Sequence, residues 1–122
     1  MQTLDDIIRF DDKGLICAVV QDHQTGQVLM VGYMNEEALG ITLREQQACF
    51  WSRSRQKLWR KGETSGNVLE LEELRIDCDG DALLLRCTPA GPTCHTNETS
   101  CFYRTVDAGG RVELAGDGVA TE

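Results

Sequence analysis

Apolar residues in the second half of the chain alternate as Leu69, Leu71, then Leu74, Ile76 and Cys78, so an odd-numbered face gives way to an even-numbered one at Glu72-Glu73. A period of two marks a strand with one buried face, and one extra residue, a β-bulge, keeps that face inward across the slip. Ala82 to Thr88 is a largely apolar run, and Asp79-Gly80 before it is a hairpin signal. Earlier, Ile16 to Gln21 and Gln27 to Met34 are two β-branched and apolar runs separated by His23-Gln24-Thr25-Gly26, which predicts a second hairpin. Ala48 to Ser52 reads as a strand of aromatic and small residues, Pro89 to Pro92 as a turn, and Ser100 to Val106 as a last strand.

Helical signals are fewer. Asn35 followed by Glu36 and Glu37 predicts a capped helix running to Gln46 or Gln47, because a side-chain oxygen and early carboxylates satisfy the free N–H groups of the first turn. Gly40 inside it costs about 1 kcal/mol relative to Ala, so tertiary packing must hold this helix. Thr3 with Asp5 and Asp6 predicts a short helix at the start of the chain. After Ala108 the glycines Gly109, Gly110, Gly116 and Gly118 predict a loose tail over 109–122, leaving a domain over 1–108. The fold class is mainly β (α+β), with one or two short helices.

Composition agrees with one unit. The chain has 122 residues, 41% hydrophobic and 26% charged, which suits an ordinary globular domain with a modest core. Asp5 and Asp6 stand where a secretory signal needs positive charge, and no stretch approaches the ~20 apolar residues of a membrane span. The expectation is a cytoplasmic protein without a membrane partner. In that setting six cysteines point to free thiols, metal ligands or catalysis rather than a disulfide framework.

A net charge of −8 argues against nucleic acid as a partner, since that needs a broad basic face. The charge is nevertheless uneven: Arg53, Arg55, Lys57, Arg60 and Lys61 are five of the twelve basic residues and fall in a window without Asp or Glu. A small anionic ligand fits such a window. Around it lie Trp51, Ser52, Ser54, Trp59, Gly62, Glu63, Thr64 and Ser65. Hydroxyls, guanidinium groups and exposed backbone N–H groups are what a phosphate requires, and the tryptophans could border a base. A basic surface loop with two core aromatics is the plainer alternative.

Two more clusters carry chemistry. In Asp77-Cys78-Asp79-Gly80-Asp81 an extended chain puts the three carboxylates on one side and the thiol on the other. Hard oxygens suit magnesium or calcium and a thiolate suits zinc, whereas an acidic hairpin tip with a buried thiol needs no metal at all. Cys94-His95-Thr96-Asn97 and Ser100-Cys101-Phe102 form the other cluster, without the tight C-x-x-C knuckle of a closed structural zinc site. Three thiolates with water in the fourth position would make an open, reactive zinc, and His95 beside it could move protons near neutrality. Buried cysteine is the competing reading, and for Cys17, Cys49 and Cys87, each inside an apolar strand, it is the preferred one.

Taken together, VVQD at 19–22, TGQVLMVGYMNEEAL at 25–39, FWSRSR at 50–55, LWRKGETSGN at 58–67, DCDGD at 77–81 and CHTNETSCF at 94–102 resemble phosphoribosyl-AMP cyclohydrolases of histidine biosynthesis, in their single-domain form. The resemblance implies zinc, one per subunit, held by Cys78, Cys94 and Cys101, and magnesium held by Asp77, Asp79 and Asp81. It implies a small pseudobarrel of mixed strands in an intertwined homodimer, with Cys78 from one subunit and Cys94 with Cys101 from the other. The implied chemistry is hydrolytic opening of the adenine ring of a nucleotide substrate, with His95 moving protons and the basic window holding phosphates. Cys17 stands where the family usually has proline, and Asn97 where it often has glycine. The main rival is a non-catalytic zinc-stabilised interaction module whose metal has four protein ligands and no water. A zinc nucleobase deaminase is a second rival, but that chemistry usually shows H-x-E with a later P-C-x-x-C, and neither occurs here.

Overall fold

A computed structural model describes residues 2–114. The chain opens with helix α1, Leu4–Ile7, where the Thr3 amide donates to Asp6 Oδ2 at 2.9 Å. Strands β1 (Ile16–Asp22) and β2 (Val28–Met34) form the expected antiparallel hairpin, with Ile16 opposite Met34. Its turn closes through the Gly26 amide on the Asp22 carbonyl at 3.0 Å.

Helix α2, Glu36–Glu45, starts where Asn35 Oδ1 accepts from the Ala38 amide at 2.8 Å. It ends at Gln46 in the left-handed region, at φ 57°. Gly40 faces solvent while Ala38, Leu39, Ile41 and Thr42 are buried, so packing on one face holds a helix that propensity alone disfavours. Thr42 Oγ1 also accepts from the Cys49 amide at 3.0 Å and ties the helix to β3, Cys49–Ser52.

β3 pairs antiparallel with β4, Lys57–Arg60, around a turn in which Gln56 takes φ 53°. The basic window is therefore half strand rather than a loop. β5 (Leu69–Ile76) and β6 (Ala82–Pro89) form the next antiparallel pair, and their register slips between Leu71 and Glu73, at the expected bulge. β6 then lies parallel to β1, giving a four-stranded mixed sheet in the order β2-β1-β6-β5. Last come β7 (Arg104–Val106) and β8 (Val112–Leu114), a two-stranded ribbon. The described strands thus make one mixed and two small antiparallel sheets, none of them closed into a barrel.

The core gathers Ile16, Val20, Leu29, Met34, Leu69, Leu83 and Leu85 around Phe50. Full burial of such side chains contributes about 2 kcal/mol each before entropy is subtracted. Gly32 admits the Phe50 ring, since a Cβ there would lie 2.7 Å from its Cδ1.

Two segments differ from the sequence pattern. Ser100 to Tyr103 is not strand: the Ser100 hydroxyl donates to the Val28 carbonyl at 2.7 Å and the Cys101 amide to Leu29 at 2.8 Å. These contacts dock the segment on the edge of β2 without a ladder. Within the span expected to be a loose tail, Val112–Leu114 is paired, and residues 115–122 lie outside the described residues. No helix among the described residues is long and apolar enough to cross a membrane.

Candidate active site

Two thiols meet at a tight turn. The Cys94 amide donates to the Glu98 carbonyl at 3.1 Å and the Asn97 amide to the Cys94 carbonyl at 3.0 Å, while Asn97 takes φ 71°. Asparagine accepts these left-handed angles more readily than most residues, so it serves where glycine would. Docking of residues 100–102 on β2 then brings Cys101 within hydrogen-bonding reach of the Cys94 sulfur.

The two sulfurs differ in character. Burial raises the Cys94 thiol, but hydrogen bonds from the Thr96 hydroxyl, the Thr96 amide and Cys101, together with the Lys61 charge, hold it below the usual thiol value. Thr96 Oγ1 lies 3.0 Å from Cys94 Sγ. Cys101 is pushed up to about 11, first by desolvation of its sulfur, although the residue as a whole is exposed, and then by Cys94. Such a pair offers soft donors to a thiophilic metal.

Both Cys94 and His95 line a cleft of about 570 Å³. From the basic window Ser52, Arg55, Trp59 and Lys61 face it, and from the following loop Gly62, Glu63, Thr64 and Ser65. Lys57, also of the basic window, completes the wall with Leu58, Asn67, Pro92 and Asn97, four residues to which the sequence had given no site role. Three expected ligand-binding residues, Trp51, Arg53 and Ser54, do not line it. The Arg53 guanidinium instead sits 3.9 Å from the centre of the Tyr33 ring. Arg60 is occupied by Glu45 through two contacts of 3.2 Å. Arg55, Lys57 and Lys61 are thus the cations that the window presents to the cleft.

Gly62 closes the loop at φ +84°, and a Cβ there would lie 2.5 Å from the Asn67 carbonyl carbon and the Val68 nitrogen. Those are backbone atoms that cannot swing aside. Gly62→Ala is expected to cost at least ~1 kcal/mol from the left-handed angle alone. It should lower the thermal midpoint by several degrees and raise KM more than it lowers kcat, as thermal unfolding and steady-state kinetics would read.

The acidic cluster lies apart, beside a second cleft of about 430 Å³ that Asp79, Asp81, Arg9, Cys17 and Tyr33 help to line. Asp77, Asp79 and Asp81 can bring one oxygen each within 4.8 Å of the others. Asp77 Oδ1 also accepts from the Asp81 and Ala82 amides at 3.0 and 3.2 Å. Burial raises the Asp77 carboxyl, but those amides and the hydrogen bonds from Asp81 and Asp79 bring it below the usual range. Asp81 is raised by its hydrogen bonds with Asp79 and Asp77 and by their charges. Gly80 is required in this turn, because a Cβ would run into the Ile7 carbonyl oxygen.

Cys78 is exposed in this cluster, and among the described residues the acid triad is the only group of three donors that close, so Cys78 does not complete a trio with Cys94 and Cys101 within one chain. Cys49 and Cys87 are buried, and desolvation, with Glu72 and Glu70 nearby, pushes Cys87 up to about 12, as befits small core hydrophobes. Cys17 is half-buried in β1.

The profile of phosphoribosyl-AMP cyclohydrolases matches residues 30–103, the stretch that runs from β2 to the thiol turn and holds every residue lining the first cleft. The chain belongs to that family. It is 60% identical over 102 residues to the phosphoribosyl-AMP cyclohydrolase of Rhizorhabdus wittichii, covering 84% of this chain and 82% of that protein. It is 58% identical over 109 residues to the one of Sphingopyxis alaskensis, covering 89% and 86%. For Chlorobium phaeovibrioides the figures are 53% over 109 residues, with 89% and 80% covered. The thiol turn and the acid triad both fall inside the region that the family profile spans.

Proposed function

We propose that the chain is a phosphoribosyl-AMP cyclohydrolase of histidine biosynthesis, dependent on zinc and magnesium and working in the cytoplasm as a homodimer. The observation that carries the reading is the pairing of Cys94 with Cys101 beside a cleft walled by His95 and three cations, in a chain of this family. Two cysteine sulfurs in hydrogen-bonding contact, Cys101 donating to Cys94, fit zinc once deprotonated, and the carboxylates of Asp77, Asp79 and Asp81 fit magnesium. Bound there, zinc would supply Lewis acidity and an acidified water.

The remaining steps belong to the chain's own side chains. Arg55, Lys57 and Lys61 bind phosphate oxygens, assisted by the Thr64 and Ser65 hydroxyls. Trp59, with 38% of its surface exposed, offers a face to the base. His95 takes a proton from the attacking water at one ring nitrogen and returns it to the nitrogen released when the ring carbon–nitrogen bond breaks. Water adds across that bond, so no other reactant is consumed. Cys78 does not close with the other two sulfurs within one chain among the described residues, which supports a site shared between two copies. Six free cysteines suit the reducing cytoplasm.

Ultraviolet detection of adenine ring opening tests the reading. Purified protein should turn over phosphoribosyl-AMP, lose activity when zinc is stripped by a chelator, and regain it on addition of zinc with magnesium. Absence of turnover by protein carrying stoichiometric zinc would leave the interaction-module reading in its place.

A further inference from the structure

The turn that carries Cys94 does more than hold the sulfur in the cleft. Its third residue, Thr96, directs two donors back onto the same atom: the hydroxyl at 3.0 Å and the backbone amide. Thr96 is itself exposed, so neither core packing nor burial explains a side chain folded back onto a thiol. The left-handed Asn97 and the Asn97 amide on the Cys94 carbonyl fix the turn in the shape that makes both contacts possible.

We propose that Thr96 is a positioning residue for the Cys94 thiolate, its hydroxyl occupying one sulfur lone pair so that another points at the zinc site. The inference rests on the proposed zinc site and assigns to the chain a residue outside the ligand set. A ligating atom whose partner outside the coordination sphere is removed typically loses about 10–100-fold in metal affinity. A hydrogen-bonded thiolate also donates less charge, which leaves a bound metal the stronger Lewis acid.

Thr96→Val keeps the shape and deletes the hydroxyl, and Thr96→Ser keeps the hydroxyl. Zinc affinity of the full-length protein, measured by competition with a chromophoric chelator, should fall about tenfold in Thr96→Val. In cobalt-loaded protein the sulfur-to-metal charge-transfer band of that variant should move to lower energy, because a thiolate freed of its hydrogen bond is more easily oxidised. Thr96→Ser should restore both, and circular dichroism should show both variants folded. Thr96→Val indistinguishable from the parent in affinity and band position overturns the proposal, as does a loss that Thr96→Ser fails to rescue. A parent that takes up no zinc overturns the metal reading and this proposal with it, which separates the two failures.

Discussion

Cys94→Ser is expected to leave the protein with less than about a tenth of its zinc and to cut ring opening by at least about a hundredfold. Losing a ligand should cost at least as much as losing a partner outside the coordination sphere, which itself costs about 10–100-fold. Cys94 is buried at the cleft, hydrogen-bonded to Thr96 and in contact with Cys101, so serine there keeps the fold and removes the soft donor. Cys101→Ser should behave alike. Cys87→Ala is the control of matched burial: this thiol is enclosed in β6 and pushed up to about 12, so it supplies no thiolate near neutrality. The control should cost about 1–2 kcal/mol of stability for the lost packing and keep its zinc. Metal analysis, an ultraviolet assay and chemical denaturation would read the set. Normal zinc in Cys94→Ser, or zinc loss in Cys87→Ala, would move the metal to another set of cysteines.

The local grammar of the fold was legible where one residue type decides one backbone choice. The Glu72-Glu73 bulge followed from a phase slip in Leu69, Leu71, Leu74 and Ile76, and the α2 cap from Asn35 before two glutamates. Non-local pairing was not legible. Nothing in Ile16 to Asp22 says that its second neighbour is Ala82 to Pro89 in parallel, because that choice is made by two apolar faces far apart in sequence. β4 was hidden for another reason: Lys57 to Arg60 is mostly exposed and shows no alternation, and its turn uses Gln56 in the left-handed region instead of glycine. Ser100 to Tyr103 misled in the opposite way. Its hydroxyl and aromatic residues look like strand, yet the Ser100 side chain takes the Val28 carbonyl and replaces a ladder bond.

The same division runs through the site. Cys94, His95 and the 61–65 loop were legible because their residue types carry the chemistry. Which cations face the cleft was not, since Arg60 is neutralised by Glu45 and Arg53 is drawn to Tyr33 by partners distant in sequence. Asn67 escaped notice because its contribution is steric. Its side-chain oxygen sits where a Cβ on residue 91 would go, so the bare Gly91 leaves Asn67 room to stand in the cleft wall.

Mixing two inactive variants should restore activity if the zinc site is shared between subunits. Cys78 is exposed on the acidic turn between β5 and β6 and does not close with Cys94 and Cys101 within one chain. On the proposed reading a second copy supplies the third thiolate, and zinc would then stabilise the dimer by mass action on the assembled state. In a heterodimer of Cys78→Ser and Cys101→Ser chains, one of the two sites takes Cys78 from the Cys101→Ser chain and the Cys94 and Cys101 pair from the Cys78→Ser chain. That site is whole, and the other lacks two ligands. Co-expression or joint refolding should yield up to about half the parent activity per heterodimer and about one zinc per two chains, as two-fold symmetry requires. A site within one subunit predicts no recovery, because each chain would carry its own defect into every dimer. Heterodimers confirmed by mass spectrometry but devoid of activity would refute sharing and require Cys78 to swing toward the thiol turn of its own chain.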